Sequence, residues 1–119
     1  MMPCPTAPWG NAFHQNKYNT AEDDKGGTTP VGSYSPQGDS PYGCTDMSGN
    51  VWEWTRSFLK PYPYNPNDGR EAEKATGRRV LRGGSYITFA RYARCAFRFD
   101  NDYLPDYTGF RLAVSLVLT

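Results

Sequence analysis

Few side chains in this sequence can do covalent or metal chemistry. Cysteine occurs only at Cys4, Cys44 and Cys95, and His14 is the only histidine in 119 residues. A structural zinc needs four thiolate or imidazole ligands, commonly in paired C-x-x-C or H-x-x-x-H units, and a disulfide framework needs an even set. Neither pattern is present, so the thiols read as free, with Cys44 and Cys95 buried, and His14 next to polar Gln15 and Asn16 receives no catalytic role.

Recognition chemistry is far more abundant. Between RGGS at 82–85 and GFRLAV at 109–114, Tyr86, Phe89, Tyr92, Phe97, Phe99, Tyr103 and Tyr107 are interleaved with Arg91, Arg94, Arg98, Asp100, Asp102 and Asp106. Tyrosine and arginine dominate binding hot spots, and tyrosine offers a large amphipathic contact with few rotors to freeze. Neighbours along a strand point to opposite faces, so not all of these aromatics can be buried. Carboxylates form a second group: Asp46 and Glu53 flank a Ser-Gly-Asn turn, and Glu22, Asp23 and Asp24 form an acidic loop. By residue type alone, Asp46 caps its turn, Glu53 pairs with an arginine and the acidic loop is solvated.

The elements that must position these residues are mostly irregular. Residues 1–45 are rich in Pro, Gly, Ser, Thr, Asn and Asp and read as turns and loop. SGNVWEWTRSF at 48–58 reads as a strand, with Val51, Glu53 and Thr55 on one face and Trp52, Trp54 and Arg56 on the other. Residues 60–77 carry three prolines and read as a long surface loop with at most one helical turn at REAEKA. RRVLRGGSY is a strand broken by Gly83 and Gly84, and CAFRFD and GFRLAVSLVL have β-type composition. The expected architecture is one irregular β domain with one or two short helices.

Composition narrows the function classes. Aromatics at 15% argue against disorder, and 119 residues suit one core. With 13 basic and 12 acidic residues, read as interspersed, no field is built for nucleic acid or membrane. The opening residues lack an apolar signal-peptide core, and no run approaches the ~20 apolar residues of a membrane helix, so direct membrane insertion is not expected and the location stays open.

Five motifs in order now converge: PWGN at 8–11, TTPVGSY at 28–34, YGCTDMSGNVWEW at 42–54, VLRGGSY at 80–86 and GFRLAV at 109–114. Together they resemble the formylglycine-generating enzyme (sulfatase-modifying factor) domain family. The resemblance implies an α+β, loop-rich, C-type-lectin-like fold, with a small antiparallel sheet and few short helices in one compact domain over 1–119. It also implies an N-terminal part ahead of PWGN that is short here. Family enzymes carry a copper-binding cysteine pair just after the GGS turn. ITFARYAR at 87–94 has no cysteine, and Cys95 matches a cysteine outside that pair, so neither copper nor formylglycine-generating activity is expected.

The same resemblance implies structural calcium. One set of positions comprises Asp46, the carbonyls of Gly49 and Val51, and Glu53; a second comprises Asn19, the carbonyl of Thr20, Asp23 and the carbonyl of Lys25, with Asp24 able to replace Asp23. Hard oxygen ligands in a flexible turn suit that ion.

One branch of the fold, the variable proteins of diversity-generating retroelements, places randomised residues on a ligand-binding face between GGS and GFR. Randomised AAY codons cannot yield Lys, Glu, Gln, Met or Trp, and Tyr86 to Thr108 contains none of the five. These types form roughly a fifth of ordinary composition. The resemblance nominates Tyr86, Thr88, Phe89, Arg91, Tyr92, Phe99, Asp100, Asn101, Tyr103, Leu104, Asp106, Tyr107 and Thr108 as surface. Cys95, Ala96 and Phe110 are assigned inward positions, and Arg98 and Arg111 to the frame.

The first functional expectation is thus a binding protein whose partner is a protein or other macromolecule. The alternative is an enzyme or enzyme fragment of the same family. A sugar-binding lectin ranks last, because neither EPN nor QPD occurs.

Overall fold

A computed structural model describes residues 7–8, 10, 16–100 and 106–116. Among these residues the sheet has four strands, β1 (Trp52–Phe58), β2 (Arg79–Arg82), β3 (Phe99–Asp100) and β4 (Thr108–Gly109), in the order β3-β2-β1-β4. β1 with β2 and β2 with β3 are antiparallel, while β4 runs parallel to β1, so the sheet is mixed rather than purely antiparallel. The only helical elements among the described residues are 3-10 turns at Ala21–Asp23 and Ala90–Tyr92.

β1 alternates aromatic and polar residues as a strand can, but burial is confined to its start, with Trp52 buried and Trp54, on the same face, 38% exposed. Pairing of Trp54 with Leu81, and of Leu81 with Phe99, puts Trp52, Trp54, Leu81 and Phe99 on one face. Glu53, Arg82, Val80 and Asp100 take the other. The core is small: Leu81 is fully buried and Trp52, Val80, Ala93 and Tyr18 nearly so.

Buried polar groups fasten the loops to this sheet. The Asn50 side chain accepts the Thr29 N–H at 2.9 Å and donates to the Thr29 carbonyl at 3.2 Å, while the Asn50 carbonyl accepts the Tyr86 N–H at 3.0 Å. Two glycines permit the close approach that this requires. A Cβ on Gly49 would lie 2.4 Å from the Asn19 carbonyl oxygen, and one on Gly84, whose φ is +73°, would lie 3.0 Å from the Ala93 Cβ.

Several expectations are corrected. Residues 110–116 form no strand beyond Gly109, because among the described residues nothing pairs with them, and Phe110, placed inward from the sequence, is 73% exposed. CAFRFD supplies only the two residues of β3, since its first half turns, and Ala96 is exposed. Cys44 is exposed rather than buried and Cys95 is half-buried. REAEKA forms turns, not a helix. Cys4 and His14 lie outside the described residues.

Candidate ligand-binding face

The aromatic part of the nominated stretch comes together against β1. An apolar cavity of about 280 Å³ is walled by Ile87, Thr88, Tyr92, Phe97, Phe99 and Tyr107, with Trp52 beneath. The Trp52 ring centre is 5.2 Å from that of Phe99 and 6.1 Å from that of Phe97. Tyr92 meets Phe97 edge-on at 5.2 Å, and Tyr86 meets Tyr107 edge-on at 6.3 Å. Such edge-to-face pairs are favourable geometries for aromatic rings. At the rim the exposed Arg91 guanidinium lies 5.0 Å from the Tyr92 ring centre and 5.5 Å from that of Phe89, a side chain 52% exposed.

The nominated residues do not all serve this face alike. Thr88 walls the cavity, but its hydroxyl is tied into the backbone turn, where it accepts the Ser85 N–H at 2.8 Å and donates to the Ser85 carbonyl at 3.0 Å. Asp100 pairs with Val80, on the side of the sheet opposite Phe99. Thr108 lies in β4 and Asp106 is exposed beside it. Asn101, Tyr103 and Leu104 lie outside the described residues. The sequence reading did not single out Ile87 for this face or assign Trp52 and Phe97 to its floor and wall; the alternation of WEW was the available signal for Trp52.

The acidic loop braces the face from behind. The Ala90 N–H donates to the Glu22 carboxylate oxygens at 2.9 and 3.1 Å, and the Ala21 N–H donates to the Thr88 carbonyl at 2.9 Å. Burial works to raise the Glu22 pKa, but the hydrogen bonds from Ala90 and the Thr20 hydroxyl outweigh it, and the carboxyl titrates below its usual range.

The two nominated calcium loops differ in how well their donors suit an ion. Asp46, Gly49, Val51 and Glu53 all line one cavity of about 190 Å³, but so does Arg111. That guanidinium donates to both Glu53 oxygens, at 2.6 and 2.5 Å, and to the carbonyls of Thr45 and Asp46, each at 2.9 Å. A cation therefore already occupies the Glu53 carboxylate, and the Asp46 carboxylate accepts the Gly32 N–H. This donor set does not fit calcium without displacing Arg111. In the second loop Asn19 is almost fully buried and its Oδ1 has no hydrogen-bond donor among the described residues. A buried acceptor without a donor is costly, and a cation would satisfy it. Asp23 stands in the same loop, taking the Tyr34 hydroxyl at 3.0 Å. Two members of the second set, Asn19 and Asp23, thus offer oxygens suited to the ion.

Comparison with known proteins agrees with the motifs. Residues 4–116 match the family model described as a sulfatase-modifying factor enzyme 1-like domain. The chain is 38% identical to the inactive C-alpha-formylglycine-generating enzyme 2 of Mus musculus, over 91% of this chain and 36% of that protein. It is 39% identical to the formylglycine-generating enzyme of Streptomyces coelicolor, over 85% of this chain and 33% of the relative. It thus spans only a minor part of the length of these relatives. Among solved structures, Treponema denticola variable protein 1 superposes with a TM-score of 0.61 at 27% identity, over 80% of this chain and 34% of that one. The loop-rich fold is that of this C-type-lectin-like group, and by the extent of the family match the chain belongs to the sulfatase-modifying factor enzyme 1-like domain family.

Proposed function

We propose that this chain is a ligand-binding module of the diversity-generating retroelement kind, displaying varied residues between Tyr86 and Thr108 and performing no catalysis. The observation that carries the reading is the aromatic cavity above Trp52, whose walls come from both ends of that stretch. Support also comes from the likeness to a protein named as a variable protein. The cavity would take an apolar side chain of a macromolecular partner, with Phe89 and Arg91 as rim contacts. Rims of this type exclude water and fix orientation, while the buried anchor supplies most of the energy.

The test combines population sequencing with stability. Codons 86–108 are expected to vary in clusters among natural isolates, next to a near-copy template and a reverse-transcriptase gene. A library varied at Ile87, Phe89, Arg91 and Asp106 is expected to stay folded, within about 1 kcal/mol of the parent, whereas Trp52→Ala loses about 3 to 5 kcal/mol. A uniform gene with no template, together with unfolding across the library, overturns the reading. The enzymatic relatives suggest the rival; a copper titration with a sulfatase-peptide oxidation assay is expected to be negative.

Calcium is part of the proposal at the second loop only. The Asn19 side-chain oxygen, the Asp23 carboxylate and the carbonyls of Thr20 and Lys25 would hold it, stiffening the brace behind Ala90. Calcium is expected to raise the melting temperature of the parent and not that of Asp23→Asn. Equal melting with calcium and with a chelator removes the ion from the account.

A further inference from the structure

A second cavity, of about 140 Å³, lies on the other side of the sheet, and its chemistry is the reverse of the first. Where the first is aromatic, this one is lined by three guanidinium groups, Arg70, Arg82 and Arg98, and by the hydroxyl-bearing Thr55, Tyr62 and Tyr64. Among the described residues no carboxylate lines it. Arg70, almost fully buried, is neutralised by Asp68, which takes its Nε at 3.0 Å and its Nη2 at 2.7 Å. The other two differ. Arg82 donates only to neutral groups, the carbonyls of Cys95 at 3.1 Å and Phe97 at 3.4 Å and the Tyr62 hydroxyl at 3.2 Å. Arg98 lies over Tyr62, its Cζ 3.9 Å from the ring centre. Among the described residues neither pairs with a carboxylate. Glu71, which takes the Ser57 and Tyr64 hydroxyls at the edge of this site, is itself bound to Arg56 at 3.3 Å.

Two guanidinium groups that pair with no carboxylate among the described residues, standing beside tyrosines, are an arrangement suited to an external anion. Guanidinium matches the oxygen spacing of phosphate and sulfate, and it is fixed here by stacking and by carbonyl bonds instead of having to be ordered on binding. Tyr62 and Tyr64 are 60% and 58% exposed, so the mouth is open and flanked by rings. We infer that this cavity binds a tetrahedral oxyanion, phosphate or sulfate, either free or as a monoester whose organic part rests on the tyrosines.

Titration calorimetry of the full chain with inorganic phosphate, inorganic sulfate and phenyl phosphate, at ionic strength held constant with sodium chloride, tests this. Saturable binding is expected, at least about tenfold weaker in Arg98→Gln, with the Arg82 and Arg98 Nε–H signals in NMR shifting and those of Arg111 unchanged. Phenyl phosphate binding at least about tenfold tighter than the inorganic ions identifies an ester site, and equal affinities identify a free-ion site. Absence of saturable binding by all three overturns the inference, as does binding that leaves the Arg82 and Arg98 signals unmoved. The NMR reading is made on the unaltered chain, so it stands even if Arg98→Gln does not fold.

Discussion

At the residue scale, two tyrosines report on the loop behind the binding face. Burial first, then the nearby Glu22 and Asp23, pushes the Tyr18 phenol up to about 12, and burial together with the hydrogen bond to Asp23 does the same for Tyr34. In the unfolded chain both titrate near 10. Between about pH 10 and about pH 12 the folded state holds protons that the unfolded state has released, so stability has its full value below pH ~10 and falls as pH rises through that window. Urea unfolding midpoints taken across it should show the fall, and Tyr34→Phe should make it shallower. A parent curve flat to pH ~12 would mean that the loop holds neither Tyr18 nor Tyr34 as described.

At the element scale, the 3-10 turn Ala21–Asp23 serves the 3-10 turn Ala90–Tyr92, and the link is one side chain. Glu22→Ala removes the acceptor of the Ala90 N–H. Amide exchange at Ala90 is expected to rise at least about tenfold, while global stability drops by only about 1 kcal/mol, the usual net contribution of one hydrogen bond. Unchanged exchange at Ala90 would show that the turn holds itself. How much of this could be read in advance depended on the range of each interaction. The strands over Trp52 and Val80 were legible, because period-two alternation and a glycine pair are local signals. The arginine partner of Glu53 was legible as a type of contact, though not as Arg111. The Glu22–Ala90 link spans 68 residues and ends on a backbone N–H, which leaves no trace in side-chain types. The failure of 110–116 to extend β4 was equally hidden, since strand composition says what can pair and not whether a partner is present.

At the scale of the whole molecule, charge that balances in total is sorted along the chain. Residues 54–99 hold ten of the 13 basic side chains and three of the 12 acidic ones, so the interspersed reading fails at this length, and the anion cavity lies within that basic half. The two cavities meet at adjacent residues: Phe97 and Phe99 wall the aromatic one, and Arg98 between them faces the basic one. A single alanine inserted between Arg98 and Phe99 would bring both side chains to one side of the sheet, and it is expected to destabilise the fold more than either Phe97→Ala or Arg98→Ala, as read from urea midpoints. If all three changes cost the same, the alternation is not enforced. The short β3 strand thus acts as a ruler laid through the stretch proposed to vary. Any process that alters this stretch can exchange its exposed letters but must keep their count, so the history of such a surface would be written in substitutions and almost never in insertions or deletions.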